Sequence, residues 1–244
     1  MQKVDKEKAE KVLRTANENP VYQDDTIGVS IDSILRGPHK TYRYVLVTAL
    51  LAKSTNKDVD ILSLQAKDNS VGAYDARSLC HKVIVPFERS TYPNSLGGSN
   101  EPFLNKPARF QRLSKTNAVR SGNDSETLES LIKILSKIQS KKQALKYLSS
   151  ALYSLQDIYS GIEEKYFIPD LEIEDEANPQ SILDYVNTLM KNSFVGEMCP
   201  LVVAAIEHLY YKGGKTVVPY KVNESGASSK EVGDIDVFDN AEQL

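Results

Sequence analysis

The chain has 244 residues, 41% of them hydrophobic, enough to bury a sizeable core in one large domain or two smaller ones. Its formal net charge of −3 excludes bulk basicity as the route to a polyanionic partner, so any such surface must come from charge segregated along the chain. Cys80 and Cys199 stand far apart with no CxxC pair, which argues against a disulfide framework or structural zinc; the charged N-terminus and the lack of a run of roughly 18 apolar residues argue against secretion or a membrane span. A cytoplasmic protein without membrane attachment is expected.

Residues 3–18 alternate charges with Val4, Ala9, Val12, Leu13 and Ala16, the spacing of an amphipathic helix that Pro20 stops. A polar turn follows, and Gly37-Pro38 breaks the chain before HKTYRYVLVTALLAK. That run is too short for a membrane and suits a buried helix, with His39, Lys40 and Arg43 at its start. There Thr41 and Tyr42 also stand where they could face a phosphate; a solvated first turn is the other reading. Between Asp32 and Asp58 every charge is basic, whereas from Lys165 to Lys191 the intervening charges are all acidic.

Residues 73–85 read as a helix whose core face is Ala76, Leu79, Cys80 and Val83, ended by Pro86. Arg77 and His81, four apart, sit on its shoulder with Lys82 further round, placed either to meet DNA or to brace a loop. A long loop follows, rich in Gly, Pro and Asn, and from Pro102 to Asn123 it has no acid while Lys106, Arg109, Arg112, Lys115 and Arg120 recur. Such a run repels itself unless it is solvated or an anion neutralises it. A phosphate backbone suits it, with Asn100, Asn105 and the Gly97-Gly98 amides as further donors. Asn105 and Arg109 are of the types that read adenine and guanine edges in the major groove.

Asp124 or Ser125 caps a helix through Gln139 along Leu128, Leu131, Ile132, Leu135 and Ile138. A second helix runs along Leu145, Leu148, Leu152, Leu155 and Tyr159 toward an exit at Gly161, making a helical hairpin. The acidic stretch PDLEIEDEANPQ lacks calcium-loop spacing and reads as linker or surface, and Ser181–Met190 reads as another helix.

The wording YDARSLCHKVIVPFE, followed by LGGSNEPFLNKPARF, resembles the SacI-type family of type II restriction endonucleases. The resemblance continues upstream through HKTYRYVLVTALLAK and downstream to the end of the chain. It implies Mg²⁺-dependent double-strand cleavage of DNA at a short palindrome, GAGCTC being the expected site, by a homodimer with a cognate DNA methyltransferase as genetic partner. The DNA-binding set expected is Lys40, Arg43, Arg77, His81, Lys82, Asn100, Asn105, Lys106, Arg109 and Arg112.

From Cys199 a helix with Leu201, Val202, Ala205, Ile206 and Leu209 leads through Gly213-Gly214 to a strand at 216–222, a loop at 226–229 and a second strand, GDIDVF. The fold class expected is therefore α+β. Residues 1–196 form a mainly helical DNA-recognition region, and residues 197–244 form the first helix and strands of a PD-(D/E)xK restriction-endonuclease-like core. Asp234 is the expected Mg²⁺ ligand, Asp236 on the same face either assists it or caps the sheet, and Glu207 is an additional acid from the preceding helix. No lysine follows Asp234, so the E-x-K strand of that core is missing, and the chain reads as cut off between the two halves of the motif.

Gly214-Lys215-Thr216 looks like the end of a Walker A loop, but Leu209 stands where its first glycine belongs and the order is helix, turn, strand. His39, His81 and His208 form no recognisable Ser-His-Asp set. Two other classes remain open: a DNA-binding protein without nuclease activity, and a helical interaction module using the acids of 170–176.

Overall fold

The computed structural model describes residues 2–166, 179–191, 198–211, 214–219 and 235–239. The chain divides into two compact units, Met1–Lys165 and Tyr166–Leu244. Helix α1, Lys6–Glu18, starts where the Asp5 carboxylate accepts the Lys8 N–H at 3.0 Å, and buries Ala9 and Leu13. The expected polar turn is instead a second helix, α2, Thr26–Arg36. Asp25 Oδ1 accepts from Ile27 and Gly28 N–H, and Ile31, Ile34 and Leu35 face the core. Gly28 is required, because a Cβ there would stand 1.9 Å from the Gln23 carbonyl oxygen.

Helix α3, Lys40–Thr55, is the centre of the unit. From Tyr44 to Ala52 it is buried on every face, as expected of a helix apolar all round. Its late hydroxyls turn inward: Ser54 and Thr55 both donate to the Leu51 carbonyl.

The helix read at 73–85 is real but differently built. Helix α4, Ala76–Leu79, runs into a π-helical turn, Cys80–Ile84, and on into α5, Val85–Thr91. Ala76, Leu79, Cys80 and Val83 are buried as expected, and burial pushes the Cys80 thiol up to about 12. Pro86 does not end the helix. It sits in the first turn of α5, where its missing N–H costs little, and the wider turn just before it leaves room for the ring.

Helices α6, Asp124–Lys137, and α7, Lys141–Tyr166, are the two helices expected there, with Leu128, Leu131, Leu135, Leu148, Leu152 and Leu155 buried. Leu145 is exposed, and α7 runs past Gly161 to Tyr166, since nothing crowds that glycine and no turn forms there.

In the second unit, α8 spans Pro179–Met190, α9 Met198–Tyr211, β1 Lys215–Pro219 and β2 Ile235–Asp239. The two strands pair antiparallel with Lys215 opposite Asp239 and Val218 opposite Asp236. The described architecture is thus α+β and mostly helical, with one small two-stranded sheet among the described residues. No helix among the described residues is long and apolar enough to cross a membrane. The acids of 170–176, the end of the expected first strand and the 226–229 loop lie outside the described residues.

Candidate nucleic-acid interface

Glu88 organises the glycine-rich loop. Its side chain is buried, and its Oε1 accepts the N–H groups of Leu96, Gly97 and Gly98 at 2.9, 3.1 and 3.0 Å. Its Oε2 accepts the Tyr44 hydroxyl at 2.6 Å, and that hydroxyl accepts the Ser99 N–H at 2.8 Å. Burial and the neighbouring carboxylate both push the Tyr44 hydroxyl up, so it stays a donor. The Gly97-Gly98 amides, expected to hold an external anion, are therefore occupied by an internal carboxylate. The positive φ of both glycines, 122° and 68°, is what turns the amides inward.

The basic loop beyond is pinned at both ends. Leu64 and Gln65 N–H donate to the Gln111 carbonyl, Leu113 N–H donates to Leu62, and Phe103, Ala108 and Leu113 are buried beneath. At the far end the buried Asp124 carboxylate accepts Val119 and Arg120 N–H, both at 2.9 Å. Burial pushes that carboxyl up, but these two amides, with Tyr42 and His39 beside it, outweigh the burial and hold it below the usual carboxylate range. Asp124 thus fastens the loop more than it caps α6. Tyr42, expected to face a phosphate, is buried on the core side, and Thr41 is buried as well.

Between the loop and the start of α3 lies a cleft of about 340 Å³ whose walls include Lys40, Thr41, Tyr44, Ser99, Asn105 and Arg120. Arg120 Nη2 donates to Thr41 Oγ1 at 3.3 Å and to the Lys106 carbonyl at 3.0 Å, so one guanidinium ties α3 to both ends of the basic run. Lys40 packs its aliphatic stem against Gly97, where a Cβ would stand 2.6 Å from its Cδ. Sequence reading placed Arg120 in the acid-free run without selecting it, and Glu88 passed unnoticed; a lone acid within a basic, glycine-bearing stretch was the available signal.

The other expected contacts scatter. Arg109 and Lys106 are exposed, and the Arg109 side chain has no partner among the described residues. Asn100 accepts from Arg89, and Arg77 lies 4.0 Å from Glu101. His81 keeps its place beside Arg77; burial, and then that charge, lower its pKa, and its buried Nε2 has no hydrogen-bond partner. Lys82 points to a separate cleft between α1 and α5 with Glu10, Arg14 and Glu18. Arg43 donates to the Gly37 and Ser95 carbonyls, and burial lowers its pKa. Arg112 pairs with Asp60, and with Asp68 at 3.5 Å, within a β-bridge to Ser63. Both arginines are engaged inside the scaffold.

In the second unit Glu207 on α9 and Asp236 on β2 are half-buried, and Asp234 lies outside the described residues. No group of three His, Cys, Asp or Glu side chains placed to hold a metal ion occurs among the described residues. The helix, turn, strand order around Gly214 stands as read, which excludes a P-loop there.

A loop held by internal carboxylates and a cleft walled by cations together make a surface suited to a polyanion. Two family models match the chain: SacI restriction endonuclease N-terminal domain over residues 6–159, and SacI restriction endonuclease C-terminal domain over residues 176–244. The chain belongs to the SacI restriction endonuclease family. It is also similar to the "Type II restriction enzyme SacI" of Streptomyces achromogenes, 33% identical over 108 residues, which are 43% of this chain. The match spans 30% of the length of that curated relative.

Proposed function

We propose that the chain acts in type II restriction, binding duplex DNA at a short palindrome such as GAGCTC and hydrolysing both strands as a homodimer in the presence of Mg²⁺. The observation that carries this reading is the family match across both units, 6–159 and 176–244. The acid-free cleft of the first unit supports it, because DNA needs cations that are not already neutralised.

On this reading Lys40, Asn105, Lys106 and Arg109 face the DNA from the loop and cleft, with Arg77, His81 and Asn100 flanking them, and Lys82, in the separate cleft between α1 and α5, is set apart. Arg43 and Arg112 hold the scaffold. In the second unit Asp234, Asp236 and Glu207 supply carboxylate oxygens, the ligand type that a hard ion such as Mg²⁺ takes. When bound, the ion would polarise the scissile phosphoryl group and favour hydroxide from its bound water. A cognate DNA methyltransferase would protect the host's own sites.

Plasmid cleavage by the purified chain tests this. Discrete fragments in Mg²⁺ that are lost on Asp234→Ala, with binding but no cutting in Ca²⁺, would establish the nuclease reading and overturn the reading of the chain as cut off before its E-x-K strand. Binding without cutting in either metal would favour a DNA-binding protein without nuclease activity. Neither binding nor cutting would sink both and favour a helical interaction module.

A further inference from the structure

We propose that the cleft at the start of α3 seats one backbone phosphate of the bound DNA, with the Lys40 ammonium and the Arg120 guanidinium as its two cationic contacts. This deepens the restriction-enzyme reading and rests on it.

Three observations converge. First, no carboxylate lines this cleft, whereas four other clefts on the same unit each include at least one: Glu10, Asp5, Asp157 and Asp58 are examples. Second, Arg120 spends only Nη2 on Thr41 and Lys106, leaving Nε and Nη1 with donors to spare while those two bonds fix the plane of the fork. A fixed guanidinium with free N–H groups is the donor geometry that phosphate oxygens match. Third, Lys40 has its stem laid on Gly97, which leaves its mobile end at the rim and no acid within ion-pair distance. The Arg120 guanidinium is in place before DNA arrives and the Lys40 stem is already seated, which lowers the ordering cost at binding.

Two acids beside the cleft are already engaged. Glu88 is already satisfied by three amides and Tyr44, and Asp124 holds the Arg120 backbone from the buried side. Asn105, on the opposite wall, offers a neutral amide for the adjoining sugar or base edge.

A phosphate contact carries no sequence information, and that makes it measurable. Lys40→Met keeps the stem against Gly97 and removes only the charge. It is expected to weaken cognate and non-cognate duplexes alike, several-fold, and to lower the slope of log affinity against log salt in Ca²⁺ by part of the roughly 0.9 that one neutralised phosphate is worth, the rest being held by Arg120. Arg120→Met is expected to do the same, with thermal unfolding recorded to confirm that the variant is folded.

A set of duplexes, each with one uncharged methylphosphonate linkage, locates the contact. One symmetric pair of positions should weaken the unsubstituted chain and weaken Lys40→Met less, because only Arg120 then remains on that phosphate. Inorganic phosphate should displace DNA only as screening salt does. An unchanged salt slope in both variants, in chains that still bind DNA, overturns the phosphate site and leaves the restriction reading standing. Displacement by low millimolar inorganic phosphate also overturns it, in favour of a free-anion site. Failure of the unsubstituted chain to bind any duplex overturns both.

Discussion

The corner around Arg112 and the cleft around Arg120 come from the same acid-free run, eight positions apart, and they have opposite electrostatic fates. Arg112 reaches back across the chain to Asp60 and Asp68, so its charge is spent inside the molecule. Arg120 meets only a hydroxyl and a carbonyl, so its charge stays available. The same division runs through the whole unit. Arg36 is held by Asp32 and Asp157, Lys146 by Asp25 and Lys115 by Glu129, while Lys40 and Arg109 have no carboxylate partner among the described residues. Basic residues in a run are therefore not equivalent. A cation with a carboxylate at hand stabilises the fold, and one without it is left for a ligand.

The largest effect should come from removing what builds the cleft. Glu88→Ala strands three amides and a buried hydroxyl, and is expected to cost about 3–5 kcal/mol. In thermal unfolding that is a Tm lower by roughly 10 °C. A fall of only a degree or two would mean that the loop holds its shape without the carboxylate.

Arg109→Ala should leave stability within about 0.5 kcal/mol, as expected for an exposed side chain without partners. If Arg109 reads a base it should weaken cognate binding by about 1–3 kcal/mol and non-cognate binding much less. Equal loss on both duplexes would reassign it to a phosphate. Arg112→Met should show the reverse order of effects: about 1 kcal/mol of stability lost in denaturant unfolding, since its ion pairs are partly exposed, with a smaller change in the salt dependence of DNA binding than Lys40→Met produces. A slope change as large as that of Lys40→Met would erase the contrast between the two regions.

The smallest effect concerns acid stability. Asp25 is held down to about 2, chiefly by the Gly28 N–H and then by Lys146. Its folded value is below its unfolded one, so its contribution is fully present above about pH 4 and is lost as pH falls toward 2. Asp25→Asn should lower stability near neutral pH by about 1 kcal/mol, the usual worth of such a cap, and flatten the loss of stability between pH 4 and 2. An acid-unfolding profile with the same steepness as that of the unsubstituted chain would remove Asp25 from the account.

Local pattern was enough for α1, α3, α6 and α7, because helical periodicity and the nearby breaking residues act within a few turns. It misled at Pro86, where a proline starts a turn of helix instead of stopping one, and at Thr26–Arg36, where Asp25 before an Ile27, Ile31, Ile34 spacing was a cap signal passed over as a polar turn. It also could not tell the apolar residues of α3 from those of α9. Leu50 and Leu51 are fully buried, whereas Leu209 and Tyr210 are 72% and 76% exposed. Both helices are apolar by composition, and burial depends on what is packed against them.

The sequence by itself determined the family, the α+β class, most helices and the segregation of charge, all of which are properties of order along the chain. Only the tertiary structure decided which charges are free. Asp60 lies 52 positions from Arg112, Asp157 lies 121 from Arg36, and the carboxylate that fills the Gly97-Gly98 amides comes from α5, before the loop. Ion pairing acts through space over a few ångströms, so separation along the chain says nothing of it until the helices have packed.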